Sequence, residues 1–237
     1  MIIGARTPMP VCGTWGVDRM PVVALASVKG GAGKTSALLA LAAELALEGQ
    51  RVEILDADPN GHAARIGARI AKRLNGAAFR IAEGVSESTI LSEIRRAKSE
   101  ASWVFVDLPG VSSKLTLLGL TKADLVVIPC QASEMDIHDA VTTLENVRQA
   151  GEAAEREIPV RLLLSRWPVT IESRAAKETK RRLSQVAEAK ILHTALMERT
   201  AIRELTFHGY VPRLSDPESN AAANIRALAT EIQGLLQ

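Results

Sequence analysis

Short apolar runs alternate along the chain with longer amphipathic ones. VVALASV (22–28), RVEILDAD (51–58), WVFVDLPG (103–110), DLVVIPC (124–130) and VRLLLSR (160–166) are rich in Val, Ile and Leu. Turn-forming residues bound most of them, the pattern of strands buried on both faces. Between the first two lies an Ala/Leu-rich stretch from Thr35 to Leu47 that stops at Gly49, the composition and glycine stop of a helix. Further helices are predicted at 60–74, 86–98, 133–150, 171–188 and 218–236. Strand and helix alternate, so the predicted fold is α/β, a mostly parallel twisted sheet flanked by helices on both faces.

Length and composition narrow this picture. The 237 residues, 47% hydrophobic, suit one sizeable core in a single domain. No apolar run approaches the roughly 18 residues that cross a bilayer. Cys12 and Cys130 stand far apart with no C-x-x-C spacing, which excludes a disulfide framework and a cysteine metal cluster and fits a reducing cytoplasm. Residues 1–20 lack the continuous apolar core of a secretory signal. They are read as a flexible extension before a domain over 21–237, with Met1 and Met20 both open as the start. The net charge of +2 hides an asymmetry: residues 161–213 hold eleven Lys/Arg against five Asp/Glu, and 117–157 hold three against eight.

Candidate chemistry starts between the first strand and first helix, at Lys29-Gly30-Gly31-Ala32-Gly33-Lys34-Thr35. Glycines let backbone N–H groups curl around phosphate oxygens, and the helix N-terminus adds partial positive charge. Lys34 reaches the outer phosphates, and the Thr35 hydroxyl suits Mg²⁺. The general pattern G-x-x-x-x-G-K-[ST] wants glycine where this chain has Val28, so the match is to a narrower variant, K-G-G-x-G-K-[ST]. The phosphate-binding set is Gly30, Gly31, Ala32, Gly33, Lys34, Thr35 and Ser36.

This loop, with its extra Lys29, resembles the deviant Walker A motif of the ParA/MinD superfamily of ATPases, which implies a P-loop NTPase fold binding ATP and Mg²⁺. The resemblance further implies a homodimer that sandwiches two nucleotides, with Lys29 reaching the phosphates held by the partner. A second cation there stabilises charge developing during phosphoryl transfer.

Two strands end in acids where an open parallel sheet collects ligands. Asp107 follows Trp103-Val104-Phe105-Val106 and reads as the Walker B acid holding a Mg²⁺-bound water; Gly110 permits close backbone approach to the γ-phosphate. Asp56-Ala57-Asp58-Pro59-Asn60 resembles the superfamily's D-x-D-P-Q switch. Carried over, Asp58 positions the attacking water and Asp56 supports the Mg²⁺ shell. Asn60 stands where the superfamily usually has Gln. Asp also commonly caps turns and helices, the plain alternative for each acid.

Thr121-Lys122-Ala123-Asp124 fits a guanine signature but precedes its strand, on the wrong edge of the sheet for GTP. At Leu164-Ser165-Arg166-Trp167 the superfamily often has an adenine-contacting Asn; here Arg166 either stacks on adenine or is a surface arginine. On the helix predicted over 171–188, Ala176, Thr179, Leu183, Val186 and Ala187 make one stripe. Arg174, Lys177 and Arg181 project opposite, flanked by Lys180 and Arg182. These cations suit a nucleic-acid backbone without sequence readout, or form a solvated face; Arg199 and Arg203 are weaker candidates. The four histidines show no metal-ligand spacing. In the last segment Ile225, Leu228, Ile232 and Leu235 share a face with Arg226 as its one cation, which favours packing against the core over a membrane surface.

The resemblance implies a short ParA-type ATPase: the ATP-bound dimer binds double-stranded DNA nonspecifically, a ParB-like partner stimulates hydrolysis, and the cycle segregates a plasmid or chromosome or positions a cargo. The protein would then be cytoplasmic and nucleoid-associated when ATP-bound. Two alternatives share the site: an accessory ATPase of conjugative transfer that assembles a relaxase complex at a transfer origin, and an ATP-dependent metabolic ligase.

Overall fold

The structure, a computed structural model, describes residues 20–186 and 190–236. The Cys12 and Ala187 readings, and nearly all of the 1–20 extension, lie outside the described residues. In chain order the elements are β1 (Val22–Leu25), α1 (Lys34–Leu47), β2 (Val52–Asp56), α2 (His62–Arg73), β3 (Phe79–Ala82), α3 (Ile90–Glu100), β4 (Trp103–Asp107) and α4 (Lys114–Leu120). There follow β5 (Leu125–Cys130), α5 (Glu134–Ala153), β6 (Val160–Trp167), α6 (Arg174–Leu183), β7 (Lys190–Ile191), β8 (Leu196–Met197), α7 (Thr200–His208), α8 (Pro212–Ser215) and α9 (Asn220–Leu236).

The strands order as β3-β2-β4-β1-β5-β6-β7, with β8 also on β6. Every described pairing is parallel. Side chains of a strand alternate between faces, and here the two faces feed two cores. Val22 and Ala24 join Ile90, Ile94, Leu115, Leu144 and Ala176 from α3, α4, α5 and α6. Val23 and Leu25 join α1, α2, α7 and α9 through residues such as Leu41, Ile70, Leu205 and Leu228. Helix α1 is buried around almost its whole circumference, in keeping with a single polar residue, Glu44, after Ser36.

Element boundaries differ from the sequence expectation for local reasons. The strand expected to run to residue 110 ends at Asp107, because Pro109 offers no N–H to continue a ladder. The helix expected from residue 60 starts at His62, after a turn in which Gly61 takes a left-handed φ of 60°. Ser86–Thr89 forms its own turn, with the Ser86 N–H on Thr89 Oγ1 at 2.9 Å, so α3 starts at Ile90. The helix expected over 171–188 is shorter: Ser173 caps it by accepting the Ala176 N–H, and Val186 falls beyond its end. Strand β3, helix α4 and the segment β7–α8 were absent from the sequence reading. Strand β3 is an edge strand interrupted by exposed Arg80, and α4 (KLTLLGL) spans too few turns to display a helical period.

Helix α9 packs as expected, with Ile225, Leu228 and Ile232 buried. Leu235, assigned to the same face, is 37% exposed at the helix end. No described helix is long and apolar enough to cross a membrane.

Candidate functional site

The loop from Lys29 to Gly33 leaves the carboxyl end of central strand β1 and feeds directly into α1. Gly31 and Gly33 adopt φ of 82° and 99°, a region that side-chain-bearing residues avoid. The loop is tied from outside. Gln131 Nε2 donates to the Gly31 carbonyl at 2.8 Å and Ser165 Oγ to that of Ala32 at 2.8 Å. The Ala37 N–H bonds the Gly33 carbonyl at 3.0 Å, so the N–H groups of Lys34, Thr35 and Ser36 precede the first helical bond and remain available to an anion.

Lys34 is buried, and its ammonium donates to the Lys29 carbonyl at 3.1 Å. Burial holds its pKa below the ordinary lysine value, against the opposing pull of Asp107 and Asp58. Thr35 Oγ1 donates to Asp107 Oδ2 at 2.7 Å. Asp107 is fully buried, and its other oxygen, Oδ1, has no hydrogen-bond partner. Desolvation, reinforced by neighbouring Asp56 and Asp58, pushes Asp107 up to about 7. An orphaned carboxylate oxygen beside a threonine hydroxyl at a phosphate loop is the donor set a hydrated Mg²⁺ requires. The residues therefore fit the ion.

Asp56 lies beside Asp107 in the β2–β4 register. Its oxygens accept the N–H groups of Asp58 at 3.1 Å and Ala64 at 2.7 Å. It thus braces the segment that carries Asp58 and the start of α2, and burial raises its pKa. Asp58 is half-buried, with Oδ1 accepting from the Asn60 backbone and side chain at 2.9 and 2.8 Å. Asn60 therefore folds back on its own loop. A Cβ on Gly110 would stand 3.2 Å from Gly30 N and from Lys29 C and O; the close approach this glycine permits is to the phosphate loop itself.

Lys29 turns away from its own loop. Its ammonium pairs with Asp136 Oδ2 at 3.3 Å on α5, and Asp136 is in turn bonded by the capping residue Ser133. Sequence reasoning did not identify Asp136, which lies 107 residues away in a helix start that reads as an ordinary Ser-x-x-Asp cap.

Beside the loop opens a cleft of about 360 Å³, lined by Gly33, Ser36, Ser165, Arg166, Arg199 and Phe207 among others. Arg166, exposed and with a φ of 48°, lines this cleft. Arg199, read from sequence among weaker nucleic-acid candidates, lines the same cleft, and its Nε is buried without a partner. Nothing local in the sequence joins it to a loop more than 160 positions earlier.

The cations of α6 are largely compensated. Lys180 pairs with Glu172, Arg181 with Glu178 at 2.6 Å, and Arg182 with Glu178 at 2.9 Å and Glu134 at 3.1 Å. Arg174 and Lys177 are exposed without an ion-pair partner among the described residues. Asp124 of the guanine-like signature accepts the Val22 N–H at 2.9 Å at the start of β1, the opposite end of the sheet from the phosphate loop. Its role there is structural.

A profile described as VirC1 protein matches residues 20–234. Protein ParA of Rhizobium radiobacter is 32% identical over 207 residues, 87% of this chain and 91% of its own length. Protein virC1 of Rhizobium rhizogenes is 28% identical over 193 residues, 80% of this chain and 82% of its own. The solved ATP complex of a Cyanothece McdA variant superposes with a TM-score of 0.74 at 15% identity, covering 92% of this chain and 98% of that one; at that identity it bears on the fold.

Proposed function

The chain belongs to the VirC1 family within the ParA/MinD superfamily of P-loop ATPases, and we propose that it hydrolyses ATP to ADP and phosphate with Mg²⁺ as part of a DNA-partition or cargo-positioning cycle. The observation that carries this is the Thr35–Asp107 pair with its orphaned Oδ1, set beside buried Lys34 at the mouth of the glycine loop.

In this reading the N–H groups of residues 30–36 and the Lys34 ammonium hold the β- and γ-phosphates. Thr35 and Asp107 hold Mg²⁺, with Asp56 behind them. The ion, when bound, neutralises charge on the phosphate oxygens. Asp58 orients the attacking water, and Asp56 keeps Asp58 in place through the Asp58 N–H. The cleft beside Ser36 accepts the base, with Arg166 and Arg199 along its wall.

Lys29 is held by Asp136 on its own subunit. On forming an ATP-sandwich homodimer it exchanges that partner for phosphates across the interface. The dimer binds double-stranded DNA through Arg174, Lys177, Lys180, Arg181 and Arg182, and a ParB-like protein stimulates hydrolysis and release. Arg174 and Lys177, without an ion-pair partner among the described residues, contribute most, because the other three must first surrender an ion pair. A cytoplasmic, nucleoid-associated protein follows from that cycle. The VirC1 family match is also compatible with the second reading, an accessory ATPase that assembles a relaxase complex at a transfer origin.

The test is DNA binding and oligomeric state measured together with ADP, with ATP, and in Lys34→Ala. Dimerisation and salt-sensitive binding only with ATP, with hydrolysis reduced at least about 100-fold in the variant, are expected. Strong preference for one duplex sequence would favour the transfer reading. Duplex binding indifferent to nucleotide would overturn the cycle, and a small-molecule-dependent ATPase without DNA affinity would point to a ligase.

A further inference from the structure

A second cationic surface lies where α2 meets the end of α7; none of the roles above uses its cations, and Phe207, which edges the cleft beside Ser36, also borders it. Helix α2 (HAARIGARIAKR) contains no acidic residue. Ala63, Gly67 and Ile70 face the core, while Arg65, Arg69, Lys72 and Arg73 are exposed on the other side. From Arg65 to Arg73 the helix rises about 12 Å. No carboxylate of the described residues pairs with any of these four, in contrast to the compensated cations of α6. Arg69 donates to the Phe207 carbonyl at 2.5 Å and Arg73 to that of His208 at 3.2 Å, partners that satisfy N–H groups without cancelling charge.

These bonds place aromatic rings among the cations. Gly209, with φ of 71°, lets the chain turn so close to α2 that a Cβ there would stand 2.8 Å from Arg69 Cβ. Phe207 before it is 67% exposed and Tyr210 after it 43% exposed, and the Arg73 guanidinium lies 3.8 Å from the Tyr210 ring centroid. Trp103, Trp167, Phe79 and Phe105 are all buried. The exposed Phe and Tyr rings of the described chain are thus concentrated at the uncompensated cations of α2.

We propose that this α2–α7 surface binds single-stranded nucleic acid, with phosphates on Arg65, Lys72 and the outer edges of Arg69 and Arg73, and an unpaired base stacked on Phe207. Cations alone would serve any polyanion. The exposed ring selects the single strand, because only unpaired bases present a free face to stack on. This goes beyond the duplex-binding cycle and does not depend on ATP.

The test is fluorescence anisotropy of a labelled oligo(dT) of about twenty nucleotides, long enough for one such groove, against a duplex of the same length, over a range of salt. The variants are Arg65→Glu with Lys72→Glu, which spare the bonds to the α7 carbonyls, and Phe207→Ala. Circular dichroism confirms that each is folded. Nucleotide-independent oligo(dT) binding is expected, weakened at least about tenfold by the double charge reversal with a salt slope shallower by about 1.4 or more. Phe207→Ala should weaken it about tenfold while leaving the slope unchanged.

Arg174→Ala with Lys177→Ala should leave oligo(dT) binding intact and reduce ATP-dependent duplex binding, so failure of either surface is seen separately. Absence of oligo(dT) binding, or binding unmoved by the α2 and Phe207 variants, would overturn the proposal. So would duplex binding that is equally tight and equally lost in those variants, or competition by polyglutamate matching that by oligo(dT).

Discussion

Asp107 shows how one buried carboxylate divides its cost between stability and chemistry. Its burial, with Asp56 and Asp58 near, raises its pKa to about 7, so the folded chain holds a proton that the unfolded chain has already lost. The sign follows: through this group the nucleotide-free protein loses stability as pH rises from about 4 to about 7, and lacks that contribution above. Asp107→Asn removes the buried charge. At about pH 8 it is expected to raise Tm by about 2–4 °C while cutting Mg²⁺-dependent hydrolysis at least about 100-fold. Near pH 5 the stability gain should shrink, and paired melting curves at the two pH values check this. Lys29 makes the opposite case, a residue whose own-subunit contact lies on α5 and whose chemistry is proposed to lie across an interface. Lys29→Ala should keep ATP affinity within a few-fold and lose stimulated hydrolysis, read by nucleotide titration beside phosphate release. Equal loss of both would place Lys29 in its own site instead.

Between elements, the phosphate loop is shaped by what packs behind it. The β4–α4 connection passes so close that Gly110 has no room for a side chain without displacing the Lys29–Gly30 backbone. Gly110→Ala is therefore expected to weaken nucleotide binding by about tenfold and cost less than about 1 kcal/mol of unfolding free energy, since the strain falls on the loop and not on the core. Calorimetric titration against urea denaturation separates the two. A loss of stability without loss of affinity would show that the loop is free to yield. Helices α2 and α6 look alike on paper, each amphipathic and each basic. They differ in their own residues, because α2 has no acid while Glu178 of α6 pairs with Arg181 and Arg182, and in their surroundings, because Glu172 and Glu134 also reach the cations of α6 and no carboxylate of the described residues reaches those of α2.

Across the whole molecule, helix α1 joins the phosphate loop to the interior and is surrounded by α2, α7 and α9. A helix buried on all sides tolerates no unpaired charge, yet Glu44 lies within it, 1% exposed. Arg213 from α8 meets it at 2.8 Å and Arg226 from α9 at 3.6 Å. Desolvation raises the Glu44 pKa despite both cations. Arg213→Ala leaves the carboxylate short of its nearer partner and is expected to cost about 3 kcal/mol, measurable by urea denaturation. Glu44→Gln in that background should restore part of the loss. The ion pair ties the C-terminal segment to the helix that starts at Lys34, so stability and nucleotide binding are expected to decline together when it breaks.

The sequence by itself determined what is local. The five central strands β1, β2, β4, β5 and β6 are legible because buried parallel strands must be nearly continuously apolar. The glycine loop and the acids Asp56, Asp58 and Asp107 are legible because phosphate chemistry requires those residue types at fixed offsets from strand ends. Strand β3, no shorter than β1, escaped because it is an edge strand whose apolar run is broken by exposed Arg80, and α4 and the elements from β7 to α8 escaped because a period of 3.6 or 2 needs several turns or residues to show itself. Tertiary structure decided everything that depends on neighbours remote in sequence. It joined Asp136 to Lys29, brought Arg199 beside Ser36, added Glu134 to an Arg182 that already has Glu178 one turn away, and set Phe207 and Tyr210 beside the cations of α2. Contacts between elements are a matter of a few ångströms, and beyond the i,i+3 and i,i+4 pairs of a single helix no spacing along the chain encodes them.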